Sequence, residues 1–145
     1  MAAAAWRLYA KAKEYIGDGT ITLGTGGFKM ALFKGSSNAS TLTLSTLASV
    51  TVQASGGAYV AGGKYLAPSA GTWTLSGSTV TFDYTTLGVT FTASGSNISA
   101  VQYAVIHNSA GKLLCWSKLS ASAFSVADPN TLTVLTAATG VFTLT

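Results

Sequence analysis

Charge is what this 145-residue sequence has least of. Asp, Glu, Lys and Arg together make up 8% of it, against roughly 25% in an average soluble domain. A freely soluble monomer usually keeps more charge on its surface. Thr, Ser, Gly and Ala fill the gap, and mean hydropathy is positive. That balance suits a protein packed against neighbours. The net charge is +4, but the basic residues are scattered apart from Arg7, Lys11 and Lys13. A nucleic-acid binder carries a basic stripe rich in Arg, with aromatics interleaved where the strand is single. Neither pattern is here, so nucleic acid is not an expected partner. The positive balance reads as solubility, or as mild attraction to an acidic partner surface.

Cysteine, histidine and acids are also scarce. The single cysteine, Cys115, excludes an intramolecular disulfide. It lies in the apolar run at 112–117 and reads as a small core residue; the alternative is a reactive thiol. No Cys/His spacing points to zinc, and no Asp-x-Asp loop points to calcium, so no metal and no cofactor is expected. The one histidine, His107, ends a strand-like segment. No serine sits in a Gly-x-Ser-x-Gly elbow, so a hydrolytic triad lacks its frame. His107 therefore reads as a strand-end residue with a satisfied hydrogen bond rather than a general base. The four acids are Glu14, Asp18, Asp83 and Asp128. Asp18 and Asp128 fall in turns, and Asp83 is out of phase with Phe82 and expected to face solvent. No pair among them suggests a glycosidase. No catalytic residue is assigned, and the chain is not expected to be an enzyme.

Long apolar runs are missing too. No stretch approaches the ~20 residues of a membrane span. The alanine-rich start lacks a basic n-region and is broken by Arg7, Lys11, Lys13 and Glu14, so it does not read as a signal peptide. The expectation is a chain that starts near Met1 and folds in the cytoplasm of its producer.

What is present is strand periodicity. Residues 72–108 organise the chain. Trp73 and Leu75 alternate with Thr, as do Val80, Phe82 and Tyr84 after a Ser-Gly-Ser turn, and then Val89 and Phe91. Residues 98–106 are apolar on both faces, with Val101, Tyr103 and Val105 on one and Ala100, Ala104 and Ile106 on the other. Such a strand is central and covered on both sides. Trp73, Val80, Phe82, Phe91, Val101, Tyr103 and Val105 are the expected core. Further strands are expected at 20–23, 28–34, 65–67 (before Pro68), 112–117, 131–136 and 140–145. A helical turn is expected near 46–50, an irregular stretch at 119–126 and a turn at Asp128-Pro129-Asn130. The Gly-rich turn at 24–27 precedes a strand, not a helix, so it is no phosphate loop.

One segment has helical period. Residues 3–16 place Arg7, Lys11 and Glu14 on a polar face and Trp6, Tyr9, Ala10 and Ile16 opposite, with a stop at Gly17 and a turn at Asp18-Gly19. An amphipathic helix with Trp and two Tyr also suits a membrane surface, but Glu14 and its short length weigh against that, so no membrane contact is expected and the helix packs on its own domain or on a neighbouring subunit. The Gly-rich stretch at 55–63 reads as an exposed connection holding Tyr59, either a binding loop or a permissive link. The whole is a single domain, with a helix at 1–17 and, over 18–145, an antiparallel β-sandwich of jelly-roll or immunoglobulin-like type.

Five stretches carry a resemblance: residues 6–33 (WRLYAKAKEYIGDGTITLGTGGFKMALF), 56–63 (GGAYVAGG), 71–96, 98–108 with its Tyr-Ala-Val-Ile, and 140–145. Together they resemble a family of small structural proteins of the bacteriophage virion, encoded among head and tail morphogenesis genes. The resemblance implies a virion protein assembled in the host cytoplasm. Its expected partners are other virion proteins (major capsid, tail or connector subunits) and itself. It brings no catalytic motif. The favoured place is a capsid decoration or cement protein or another head-associated subunit. The alternatives are a tail or connector component, or a module that binds a host-surface glycan. Expected partner-binding residues are Trp6, Tyr9, Tyr15, Ile16 and Tyr59.

Overall fold

The computed structural model describes residues 4–24, 27–66, 72–83, 88–136 and 140–144. Expectations that fell on Pro68 and Tyr84 lie outside them.

The described residues are mostly β and antiparallel, with one short α-helix among them. The organising strand is β7 (Ile98–Asn108). It pairs on one side with β2 (Phe28–Lys34) and on the other with β8 (Leu113–Lys118) and β9 (Phe124–Val126). Two short strands close the edges, β1 (Arg7–Leu8) on β8 and β3 (Lys64–Tyr65) on β2, so the order is β1-β8-β7-β2-β3. Central position explains composition here. A strand flanked on both edges and covered on both faces must be apolar throughout, and Val101, Ala104, Val105 and Ile106 are fully buried.

β8 and β9 share one edge of β7, and the break between them is held by a side chain. Buried Gln102 donates from Nε2 to the Ser120 and Ala121 carbonyls at 3.2 and 2.7 Å. Its own carbonyl accepts from Leu119 N–H at 2.8 Å. At the same end β7 bulges. Ala100 takes φ 55°, an uncommon conformation for a residue with a side chain, and its N–H is met by Ser125 Oγ at 3.2 Å. The bulge absorbs a register shift between Ile98 and Val101.

Two smaller sheets lie beside this one. β6 (Val89–Thr92) pairs with β10 (Thr131–Val134). β5 (Thr79–Asp83) pairs with β4 (Thr72–Ser76) and β11 (Phe142–Leu144). The buried apolar residues, from Tyr9 near the N-terminus to Phe142 near the end, form one contiguous cluster.

The N-terminal region departs from the sequence reading. α1 covers Ala10–Gly17, not 3–16. Residues 4–9 are extended along β8. Ala4 N–H reaches the Lys118 carbonyl, and Tyr9 N–H the Leu114 carbonyl at 3.1 Å. Alanine propensity is worth only tenths of a kcal/mol per residue, and an open sheet edge offers a full set of backbone partners. Tertiary pairing wins. The stop is as expected in kind: Asp18 N–H bonds the Glu14 carbonyl, and Asp18 Oδ1 accepts from Thr20 N–H at 2.8 Å.

Three further expectations are corrected. Residues 20–23 are not a strand: they are a turn whose Ile21 and Leu23 are buried. Alternation there reflects a loop pressed on the core. Residues 124–126 of the irregular stretch pair as β9. Trp73 is 41% exposed rather than core, and Val80, Tyr103 and Asp83 are half-buried. Phe82, Phe91, Val101 and Val105 are buried. The helical turn is present as a single 3₁₀ turn, Leu47–Ser49.

Candidate functional site

The residues expected to bind partners are mostly spent inside the domain. Trp6, Tyr9 and Tyr15 are buried against their own sheet, and Ile16 is half-buried on the same core. Tyr9 sits where the chain turns from β1 into α1, and its hydroxyl donates to the Ala39 carbonyl at 2.6 Å. Burial, with a smaller contribution from Cys115, pushes its phenol well above the usual tyrosine range. These side chains offer little surface to another subunit. The apolar face of α1 covers β8 instead.

Tyr59 is likewise turned inward. The Gly-rich loop lays it against Phe91, ring centroids 5.9 Å apart. Its hydroxyl accepts from Leu32 N–H at 2.9 Å and from Gln53 Nε2 at 3.1 Å. Leu32 presents its N–H and carbonyl away from β7, and Ala54 N–H takes the carbonyl. The tyrosine hydroxyl therefore stands in for a missing strand on the edge of β2. Burial raises its pKa, against the lowering effect of Leu32 and Gln53. The glycines around it serve close approach. A Cβ at Gly63, where φ is 76°, would collide with the Met30 carbonyl. The loop is a fastening rather than an open binding loop.

His107 fastens the same loop. Its Nδ1 lies 2.8 Å from the Asn108 carbonyl and its Nε2 3.0 Å from the Gly62 carbonyl. Burial holds its pKa below the usual histidine range, with Lys29 adding to that, against the two carbonyls, which favour the charged ring. Both contacts of the ring are backbone carbonyls, not a nucleophile. Cys115 is fully buried, and burial pushes its thiol pKa up, as for a small core residue. Among the described residues no three His, Cys, Asp or Glu side chains gather as a metal site.

Two surface features remain. One is an open cleft of about 470 Å³ where β1 meets β8, lined by Arg7, Ser40, Tyr103, Trp116 and Lys118 among others. The Arg7 guanidinium lies 5.8 Å from the Trp116 ring centroid, and Tyr103 stands edge-on to the same ring at 6.1 Å. The other is the β4–β5 hairpin. All five residues of β4 are exposed, as in no other described strand of three or more residues. Leu75 is 69% exposed. Trp73 rests one side on Phe82 and Phe142, at centroid distances of 4.9 and 5.8 Å, and turns the rest to solvent. The alternation of residues 72–76 predicts one wet and one buried face, and the structure exposes both. The overlooked signal was the lack of any charge in Thr-Trp-Thr-Leu-Ser, which natural edge strands normally carry.

Compared with protein-family models, with curated proteins and with solved structures, the chain matches none. No helix among the described residues is long and apolar enough to cross a membrane.

Proposed function

We propose that this chain is a structural subunit of a bacteriophage virion, a capsid decoration or cement protein held by contacts with other virion proteins and with itself. In this reading its sheets stack as a β-sandwich, with α1 covering one side. The observation that carries it is β4 of the β4–β5 hairpin, an uncharged strand with an exposed Trp73 and Leu75 and an outer edge that no described strand pairs. Exposed apolar surface joined to unpaired backbone is costly in a lone soluble domain and is usual where a neighbour covers it. The low charge of the whole sequence and its resemblance to virion proteins support the same reading.

The test is the composition of purified particles. Quantitative mass spectrometry or gel densitometry should find the chain in dozens to hundreds of copies relative to the major capsid protein. A few copies per particle would move it to the tail or connector. Its absence from particles would end the reading.

A second reading has its own observation. The cleft at Arg7, Tyr103, Trp116 and Lys118 sets aromatic rings beside two cations, the chemistry that takes an acidic sugar. A host-surface glycan would then bind there and not at Tyr59. Titration with acidic oligosaccharides, comparing the parent with Tyr103→Ala, tests it; equal or absent binding in both dismisses it.

A further inference from the structure

We propose that β4 pairs edge to edge and antiparallel with β4 of a second copy of this chain, about a two-fold axis through Thr74. The inference deepens the assembly reading above by naming the partner and the register.

The hairpin geometry says which groups are free. Ser76 and Thr79 are the closing pair, and Gly77 and Ser78 form the turn. Gly77 takes φ 60° while Ser78 stays out of the positive region, as in a two-residue type II′ turn. In such a hairpin the closing pair exchanges hydrogen bonds, and hydrogen-bonded pairs then alternate with open ones. Ser76, Thr74 and Thr72 thus point their backbone groups at β5. Trp73 and Leu75 point theirs outward, where no described strand meets them.

Among the described residues, β4 itself carries none of the usual edge protections. β4 carries no Lys, no Pro and no bulge in its register with β5. The edges of the main sheet are treated otherwise: β1 and β3 are two residues long and carry Arg7 and Lys64. A five-residue uncharged edge beside an exposed Trp is a template for another strand.

The strand's own sequence selects the occupant. About Thr74, Thr72 falls opposite Ser76 of the other copy, Trp73 opposite Leu75, and Thr74 opposite itself. Each hydroxyl meets a hydroxyl and each apolar side chain an apolar one, which is the favourable kind of cross-strand pair. The outward groups of Trp73 meet those of Leu75, twice over by symmetry, so the seam gains about four backbone hydrogen bonds. The hairpin's one charge, Asp83, lies on β5, a strand away from the axis. A chain of net charge +4 brings no positive charge to this seam. The result is an isologous contact that joins β11-β5-β4 to its copy as one continuous sheet. A seam of five residues a side is small beside the roughly 20–30 a side of a standard interface, so the pairing is weak alone and gains strength when particles hold many copies together.

The test traps the register. Opposed residues of an open antiparallel pair have Cα atoms about 4.5 Å apart, within disulfide range. Thr74 is exposed and native Cys115 is buried, so the new thiol of Thr74→Cys acts alone. Under mild oxidation Thr74→Cys should give disulfide dimer at least about tenfold above Thr43→Cys, an exposed control off the hairpin. Thr72→Cys and Ser76→Cys should each dimerise poorly and cross-link when mixed. Equal yield from Thr74→Cys and Thr43→Cys overturns the pairing. If Thr74→Cys fails to fold by circular dichroism, the mixed pair decides, and no preference for the mixture also overturns it. Failure to cross-link in a chain abundant in particles removes the pairing and leaves the assembly reading. A cross-link in a chain missing from particles does the reverse.

Discussion

Tyr59→Phe isolates one hydroxyl. The ring keeps its place against Phe91, so packing is nearly unchanged and the polar contacts alone are lost. Leu32 is fully buried, and its N–H faces away from β7, with the Tyr59 oxygen at 2.9 Å as its acceptor. Removing that oxygen strands a buried donor, at a cost of about 1–3 kcal/mol. Gln53 also loses a contact, but it is half-buried and reaches water, so it adds little. For a domain of this size the melting temperature should fall by about 3–12 °C. In urea the midpoint should drop with the slope unchanged, and the Leu32 amide should exchange faster. The pH dependence gives a second check. Burial raises the pKa of Tyr59 above its unfolded value. Its contribution is therefore complete below about pH 10 and is lost as pH rises through the folded pKa. Tyr9 shifts in the same direction, so the alkaline decline should be shallower in Tyr59→Phe but still present. A variant as stable as the parent within about 0.3 kcal/mol would refute the idea that this hydroxyl completes the edge of β2.

Other substitutions sort surface from core. Phe91→Ala should cost about 3–5 kcal/mol through lost burial and the cavity left behind, whereas Trp73→Ala should cost less than about 2 kcal/mol because the ring is partly in water; equal costs by denaturant titration would mean that the hairpin face is covered. His107, with its pKa lowered by burial, supplies stability that is present above the unfolded value near 6.5 and lost as pH falls through the folded pKa. Stability that rises on acidification would show that the carbonyls of Gly62 and Asn108 outweigh burial, and His107→Gln should flatten the acid limb in either case. Deleting residues 1–15 should give a chain that melts far lower or aggregates, because Tyr9 and Tyr15 leave the core and β8 loses its edge partner; a deletion variant with the parent's melting curve would contradict the packing of α1.

The strands were legible where one cause set the pattern. β7 is apolar on both faces because it is central, and that shows in its sequence without help from any other residue. β2, β8 and the β4–β5 hairpin announced themselves by period and turn. The failures share a form. Residues 4–9 look helical by composition, yet they extend because β8, more than a hundred residues later, offers an edge. Residues 20–23 alternate like a strand but form a turn pressed on the core, where Ile21 N–H bonds the Tyr15 carbonyl instead of a neighbouring strand. Tyr59 in a glycine-rich stretch reads as exposed, since nothing local says that Leu32 lacks a strand neighbour. In each case what decides is tertiary, a partner strand or the core, and period and propensity carry no record of it. His107 and Cys115 were the easier kind: with no second histidine, no second cysteine and no nucleophile elbow in the chain, a role in packing was the simplest reading of both.

The same contrast bears on assembly. From sequence, Trp6, Tyr9 and Tyr15 were more apolar surface than a short helix needs, and so belonged at an interface. In the fold they are needed: an open sheet face and the exposed edge of β8 consume them. The surplus lies instead at β4, where Trp73 and Leu75 flank a strand that nothing in the described chain pairs or covers. A lone domain gains nothing from leaving five uncharged residues as an open edge, because unpaired backbone and apolar side chains both invite aggregation. Such an edge is a template that a neighbouring strand can pair with. For a hairpin whose residues read the same in chemistry from either end, the most available occupant is another copy of itself.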